Sequence, residues 1–241
     1  AHYFLTLGGH ECLWFILEKV HPESHGAKAL PMLEVDSWKL IQEPESLKAL
    51  EEKALSSYLI KMRWFGGKGR IIEHIKIVKH ARIPLPEDHA LILLIEVSYD
   101  SGLPETYQLP VTFAKGEAAT KIADNFPQAV ICRLKVGEEE GILYDAIYGN
   151  DFQQLIIQKM AANQSISLKN SKIEFYGNKN LRRHIQDQTR IIPRVLSGEQ
   201  SNTSVIYDNP FFVKMFTKLD PAINPDLQMV RFLTEHAKFK N

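Results

Sequence analysis

Leu47, Leu50, Ala54, Leu55, Tyr58, Leu59 and Met62 recur at intervals of three and four. That interval stacks side chains on one face of an α-helix. Ser46 is suited to N-cap this helix, and Gly66-Gly67 offer C-cap conformations, so the pattern predicts an end near Trp64-Phe65. The period then changes. Residues 71–80, 91–99 and 106–113 alternate or run apolar, punctuated by Pro84, Pro86, Ser101-Gly102 and Pro104, which predicts an antiparallel meander. A short helix is expected at 116–125, then strands at 129–136 and 141–148 around the acidic turn 137–141, then a helix capped by Asp151 with Phe152, Leu155, Ile156 and Met160 on one face. A helix laid on an antiparallel sheet is an α+β layer.

The flanks read differently. Two short aromatic and apolar runs, 3–7 and 12–17, are separated by Gly8-Gly9 and predict a β-hairpin or bent edge strand. Two strands cannot bury an apolar face alone, so this piece must pack on something else. Residues 21–35 have the composition of a linker. Residues 163–190 are polar, with a strand piece at 173–176, and 180–189 fit no pattern. From Ile191 a new hairpin opens: a small-polar turn runs into Val205-Ile206-Tyr207, Asp208-Asn209-Pro210 turns the chain, and Phe211-Phe212-Val213-Lys214-Met215-Phe216 returns. Asn224-Pro225-Asp226 then starts a helix, with Asn at the N-cap, Pro at the first helical position and an acid in the first turn. Its expected buried face is Leu227, Val230, Leu233 and Ala237.

Composition narrows the function classes. The 241 residues carry 29 Lys+Arg and 29 Asp+Glu, and this even balance offers no basic face for nucleic acid. No apolar run approaches the roughly 18 residues that span a bilayer, and no signal-peptide pattern is visible. Cys12 and Cys132 are distant and flanked by apolar residues, as buried thiols of a reduced, cytoplasmic protein would be.

The chemistry concentrates in the last hairpin. Gln200, Ser201, Asn202, Thr203 and Ser204 are short polar side chains that leave backbone N–H groups free to meet phosphate oxygens; otherwise they form an ordinary polar turn. Lys214 stands on one strand face with Phe212 and Phe216, so it faces either a counter-charge or water at a sheet edge. Kinases pair such a lysine with an acid on the next helix. Asp226 and Glu235 are available, and Gln228 occupies the aligned place. The segment 63–70 (RWFGGKGR) could form an anion nest or simply end a helix with basic residues at its negative pole. Metal-ligand spacing among the nine histidines, G-x-S-x-G, H-x-D-x-x-x-x-N and a D-F-G-like segment are all absent from these 241 residues.

Residues 63–70, Leu109-Pro110-Val111-Thr112, 198–207 (GEQSNTSVIY), 213–216 (VKMF) and 219–235 (LDPAINPDLQMVRFLTE) together resemble the N-terminal half of bacterial maltokinases. That family folds like aminoglycoside phosphotransferases with an extra N-terminal cap. The first 20 residues, with Leu5-Thr6-Leu7-Gly8-Gly9-His10 and Trp14-Phe15, are similar to the final strands of the C-terminal β-domain of trehalose synthases, which are fused ahead of maltokinases in many bacteria. The resemblance implies a remnant β-domain at 1–20, a linker at 21–45, a cap domain at 46–150, an intermediate segment at 151–190, and the start of a kinase-like N-lobe at 191–241. It implies maltose/trehalose interconversion and ATP- and Mg²⁺-dependent phosphorylation of maltose in a parent protein. Gln200, Ser201, Asn202, Thr203, Ser204 and Lys214 would contact nucleotide. The catalytic aspartate and the Mg²⁺ ligands are expected beyond Asn241 and the barrel carboxylates before Ala1, so this stretch alone is expected to be inactive, to hold no bound cofactor and to self-associate through an incomplete N-lobe. The alternative is a non-catalytic α+β binding or interaction module.

Overall fold

The helix and the strand that follows it fold for the reason the spacing gives, but their ends shift. In the computed structural model, which describes residues 30–168, 171–187, 192–196, 202–207 and 211–237, strand β1 (Met32–Val35) and a 3₁₀ turn (Trp38–Gln42) precede α1 (Pro44–Leu50). A π-helical turn (Glu51–Leu55) carries α1 into α2 (Ser56–Lys61), so one helical rod runs from 44 to 61. It starts two residues before the predicted Ser46 cap, because Pro44 takes the first helical position, where its missing N–H costs nothing. It ends at Lys61, where Met62 turns to extended backbone. Gly66 and Gly67 are not its C-cap. They pass against two tyrosine hydroxyls: the Gly66 N–H donates to Tyr107 Oη at 3.1 Å, and a Cβ on Gly67 would lie 2.3 Å from Tyr99 Oη.

The meander follows as β2 (Ile72–Pro84), β3 (His89–Tyr99) and β4 (Glu105–Lys115), then α3 (Gly116–Asn125), β5 (Val130–Val136) and β6 (Glu139–Asp145). The strands form a sheet in the order β1-β5-β6-β4-β3-β2, antiparallel except for the parallel β1–β5 pair. Strand β2 is one edge and β1 the other. Strand β2 carries His74, Lys76, Lys79, His80 and Arg82 and two register irregularities, features that keep an open edge from pairing elsewhere. The linker expectation for 21–45 fails over 30–45, since β1 pairs with β5 and Trp38 and Ile41 are buried in the sheet's core. The reason is that Leu33, Trp38 and Ile41 supply apolar surface that the short 30–45 segment can lay on the helix and sheet. The 3–17 strand pair and Cys12 lie outside the described residues.

The predicted strand at 141–148 stops at Asp145, whose carboxylate accepts the Ile147 N–H at 3.0 Å and turns the chain into a 3₁₀ turn (Ala146–Tyr148). Helix α4 (Asn150–Ala162) follows, N-capped by Gly149, with Asp151 in its first turn and not at the cap. A small hairpin, β7 (Ser165–Leu168) with β8 (Ser171–Glu174), leads to α5 (Lys179–Asp187), where the polar sequence had suggested no element. A second sheet, in the order β11-β10-β9, is built from β9 (Pro193–Val195), β10 (Thr203–Tyr207) and β11 (Phe211–Met215). Strand β12 (Lys218–Leu219) returns to the first sheet, and α6 (Pro225–Arg231) closes the order, continuing into a π-helical turn (Phe232–His236).

Two cores result. The first lies between the 44–61 rod and the large sheet: Leu50, Ala54, Leu55 and Leu59 meet Leu91, Leu93, Ile95, Val97, Leu109 and Leu143, all buried. The second joins the far end of the β2–β3 hairpin (Ile83, Ala90) and the 3₁₀ turn (Ala146, Ile147) to Phe152 and Ile157 of α4, Leu181 of α5, and Val205 and Tyr207 of β10. One hairpin therefore feeds both. This is a mixed α+β architecture with an antiparallel-rich, curled sheet. Among the described residues, no helix is long and apolar enough to cross a membrane.

Candidate functional site

Lys214 sits near the end of β11, opposite Ser204 of β10 in the antiparallel register. Its Nζ lies 3.1 Å from Asp226 Oδ2 and 4.9 Å from the centre of the Phe216 ring. The pairing arises because Asn224 caps α6: its side chain accepts the N–H groups of Asp226 and Leu227, at 2.9 and 3.4 Å, and so holds Asp226 in the first turn. Of the three expected helix partners, Asp226 therefore meets the lysine. Gln228 is exposed one half-turn further on, and the Glu235 side chain lies outside what is described. Of the expected buried face of this helix, Leu227, Val230 and Ala237 face solvent, with Met229 and Phe232 beside them, and Leu233 is half-buried.

Gln200 and Ser201 lie outside the described residues. Asn202 is half-buried, whereas Thr203 and Ser204 belong to β10 and are buried, so two of the five expected loop residues are strand residues. The cause is register: Thr203 pairs with Met215 and Ser204 with Lys214, which extends the ladder to the mouth of the turn. Asn202 and Thr203 line a cleft of about 370 Å³ together with Lys61, Arg63, Trp64 and Tyr148, so the hairpin's turn abuts the end of the 44–61 rod.

The segment 63–70 is a structural insert. Trp64 and Phe65 are buried against Tyr107, with ring centroids 5.9 and 5.2 Å away. Arg70 stacks 3.5 Å over the Tyr99 ring and donates to the carbonyls of Ser101 and Leu103 at 2.8 and 3.2 Å. Arg70 also reaches Glu105 at 3.3 Å. Glu105 is a hub that sequence reasoning missed. It accepts the hydroxyls of Tyr99 (2.8 Å) and Tyr107 and pairs with Lys218 at 2.8 Å. Burial works to raise its pKa. Hydrogen bonds from Lys218, Tyr107 and Tyr99, together with the Lys218 charge, outweigh that and bring it to about 2. The Tyr99 hydroxyl is pushed up to about 12, chiefly by burial.

A buried acid joins the two cores. Asp145 accepts the Ile147 N–H and the Tyr58 hydroxyl, the latter at 3.4 Å. Burial lifts its pKa to about 7 although both hydrogen bonds favour the anion, and burial followed by the Asp145 charge raises that of Tyr58. Buried Cys132 has its thiol pushed up to about 12 by burial alone, which makes it unreactive. Among the described residues, no group of three or more His, Cys, Asp or Glu is placed to hold a metal ion.

The described chain is thus an α+β cap-type domain with a lysine-bearing hairpin set against it. Residues 58–148 match the family model of the maltokinase N-terminal cap domain, which relates this part of the chain to maltokinases. The matched segment begins inside α2, and the folded unit reaches further upstream, since β1, Trp38, Ile41 and α1 complete the same core.

Proposed function

We propose that the chain is the cap and the nucleotide-holding hairpin of a maltokinase-type enzyme, which transfers a phosphoryl group from ATP, with Mg²⁺, to the anomeric hydroxyl of maltose. One combination carries this: a maltokinase-cap match over 58–148 and, downstream in the same chain, a strand lysine ion-paired to an acid in the first turn of the next helix. Protein groups serve phosphoryl transfer mainly by positioning and neutralising phosphate charge. Lys214 would exchange the Asp226 carboxylate for phosphate oxygens, and residues 200–204 would lie along the same phosphates. The general base and metal carboxylates are assigned to sequence outside these 241 residues, because no H-x-D-x-x-x-x-N or D-F-G-like segment occurs within them. On the strength of residues 5–15, we assign residues 1–20 to the end of a trehalose synthase β-domain. The parent would then also interconvert maltose and trehalose, in the cytoplasm. The exposed Leu227, Met229, Val230 and Phe232 give the chain a surface for self-association, which sedimentation at rising concentration reads directly.

Placement of Thr203 and Ser204 within β10 favours the second reading, a non-catalytic α+β binding module, because it takes two residues out of the phosphate-binding turn. Acylation of Lys214 with and without ATP·Mg²⁺ decides between them. A half-site retains no nucleotide of its own, so ATP·Mg²⁺ is added in large excess; protection is then the expected result, and equal labelling in both conditions overturns the kinase reading. A coupled ATP-consumption assay with maltose is expected to show no turnover by these 241 residues alone; turnover would place catalytic groups inside them.

A further inference from the structure

We infer that the cap is a positioning device for Lys214, acting through Gln108 and Glu105 on β4. The inference rests on the reading of Lys214 as a nucleotide ligand. Strand β11 ends at Met215, one residue past the lysine, and the chain then runs directly onto the cap's sheet. Strand β6 covers β4 only from Val111 to Lys115; β12 takes the remaining half of that side, Lys218 opposite Tyr107 and Leu219 opposite Thr106. Gln108 holds the connection twice. Its main-chain N–H donates to Thr217 O at 2.8 Å, and its Nε2 donates to Phe216 O at 2.7 Å. Lys218 then anchors on Glu105, itself fixed by Arg70 and two tyrosines. Phe216, whose carbonyl Gln108 grips, is also the residue whose ring lies under the Lys214 ammonium.

The geometry makes the cap, and not Asp226, the main restraint on the lysine. The Lys214–Asp226 pair is open to solvent, with Asp226 63% exposed, and exposed ion pairs hold little. The strap is paired through backbone, side chain and a half-buried carboxylate. At about 3.3 Å per strand residue, the Gln108 grip lies only about 7 Å along the chain from Lys214. A cap that shifts on its second core carries β12, and with it the end of β11. The strap is also poised for release. Thr217 is buried, and its hydroxyl has no hydrogen-bond partner among the described residues, so its seat carries an uncompensated polar group.

Gln108 is thus a positioning residue that touches neither nucleotide nor sugar. The test uses the whole 241-residue chain and two variants of opposite sign. Gln108→Ala removes one grip, and Thr217→Val replaces the unpartnered hydroxyl with a methyl group. Without nucleotide, Gln108→Ala is expected to raise Lys214 acylation relative to exposed Lys61, and amide exchange over 214–219, by about tenfold, the worth of one hydrogen bond. Exchange across β3 should not change. Thr217→Val should lower both rates several-fold. ATP·Mg²⁺ should bind Gln108→Ala about tenfold more weakly, by the same reasoning. Exchange that rises over 216–219 while Lys214 acylation stays at the parent rate overturns the inference. If nucleotide fails to protect Lys214 even in the parent chain, the nucleotide reading falls, while the nucleotide-free rates still decide whether the cap positions the lysine.

Discussion

The two cores differ in how they are assembled. The first takes one helical rod and a continuous run of alternating strands, and nearly every contributing residue lies between Leu33 and Leu143. The second draws Ile83, Ala146, Phe152, Leu181 and Tyr207 from five separate elements, and is pinned by the Tyr207 hydroxyl donating to Gln153 O at 2.9 Å. Beyond it the molecule thins out: β11 lays Phe211, Val213 and Met215 on the second core and turns Phe212 outward, and Leu227, Met229 and Val230 of α6 face solvent. The first core is drawn from one stretch of chain, whereas the second is a joint of separate elements between the cap and the lysine hairpin.

The sharpest way to break this contrast is to cut a cavity in each core. Leu55→Ala in the first is expected to cost about 4 kcal/mol, and Leu181→Ala in the second about 2 kcal/mol, near the low end for such truncations. The decisive readout is amide exchange. Leu55→Ala should loosen the whole chain, Leu181→Ala only α4, α5 and the second sheet. Identical patterns would mean one cooperative core.

Next in size is Glu105→Gln, expected to destabilise by about 3 kcal/mol, because Arg70 and Lys218 lose their shared anion in a half-buried setting. The folded pKa of about 2 lies below the ordinary glutamate value, so the stabilisation is complete above about pH 4.5 and is lost as pH falls toward 2. Denaturation across that range should show a steeper acid loss in the parent than in the variant.

A further effect is expected at the joint itself. Folded Asp145 keeps its proton up to about pH 7, whereas an unfolded aspartate releases it near pH 4. Between those values the folded state holds more protons, so this group's contribution to stability falls as pH rises through the window. Asp145→Asn should flatten that slope and be the more stable protein at pH 8. An unchanged slope would mean that Asp145 titrates normally.

Much of the first core was legible because its signals are local. The 3–4 spacing from Leu47 to Met62 and the alternation from Leu91 to Tyr99 each fit within one element, and the Asn224-Pro225-Asp226 start was readable for the same reason. What the sequence hid depends on distant partners. Gly66-Gly67 looked like a helix stop because nothing in the local sequence shows the tyrosines at 99 and 107 that press on them. Met32–Val35 looked like linker because its pairing partner lies a hundred residues on. Lys214 was readable as a lone cation on an apolar strand face, and its partner was among the candidates named. Glu105 was not readable, since its partners come from Arg70 on one side and Lys218 on the other.

The Lys218–Glu105 contact spans 113 residues of chain. Closing so long a loop costs conformational entropy before any contact repays it, and such long-range pairings form slowly. Apart from β1, whose partner lies a hundred residues on, the cap's strands pair with partners closer in the chain, and all of them precede Lys218, so on a growing chain the cap can be complete before Lys218 leaves the ribosome. Docking of β12 then belongs to the last act of folding, and the lysine hairpin acquires its final alignment from a surface already made.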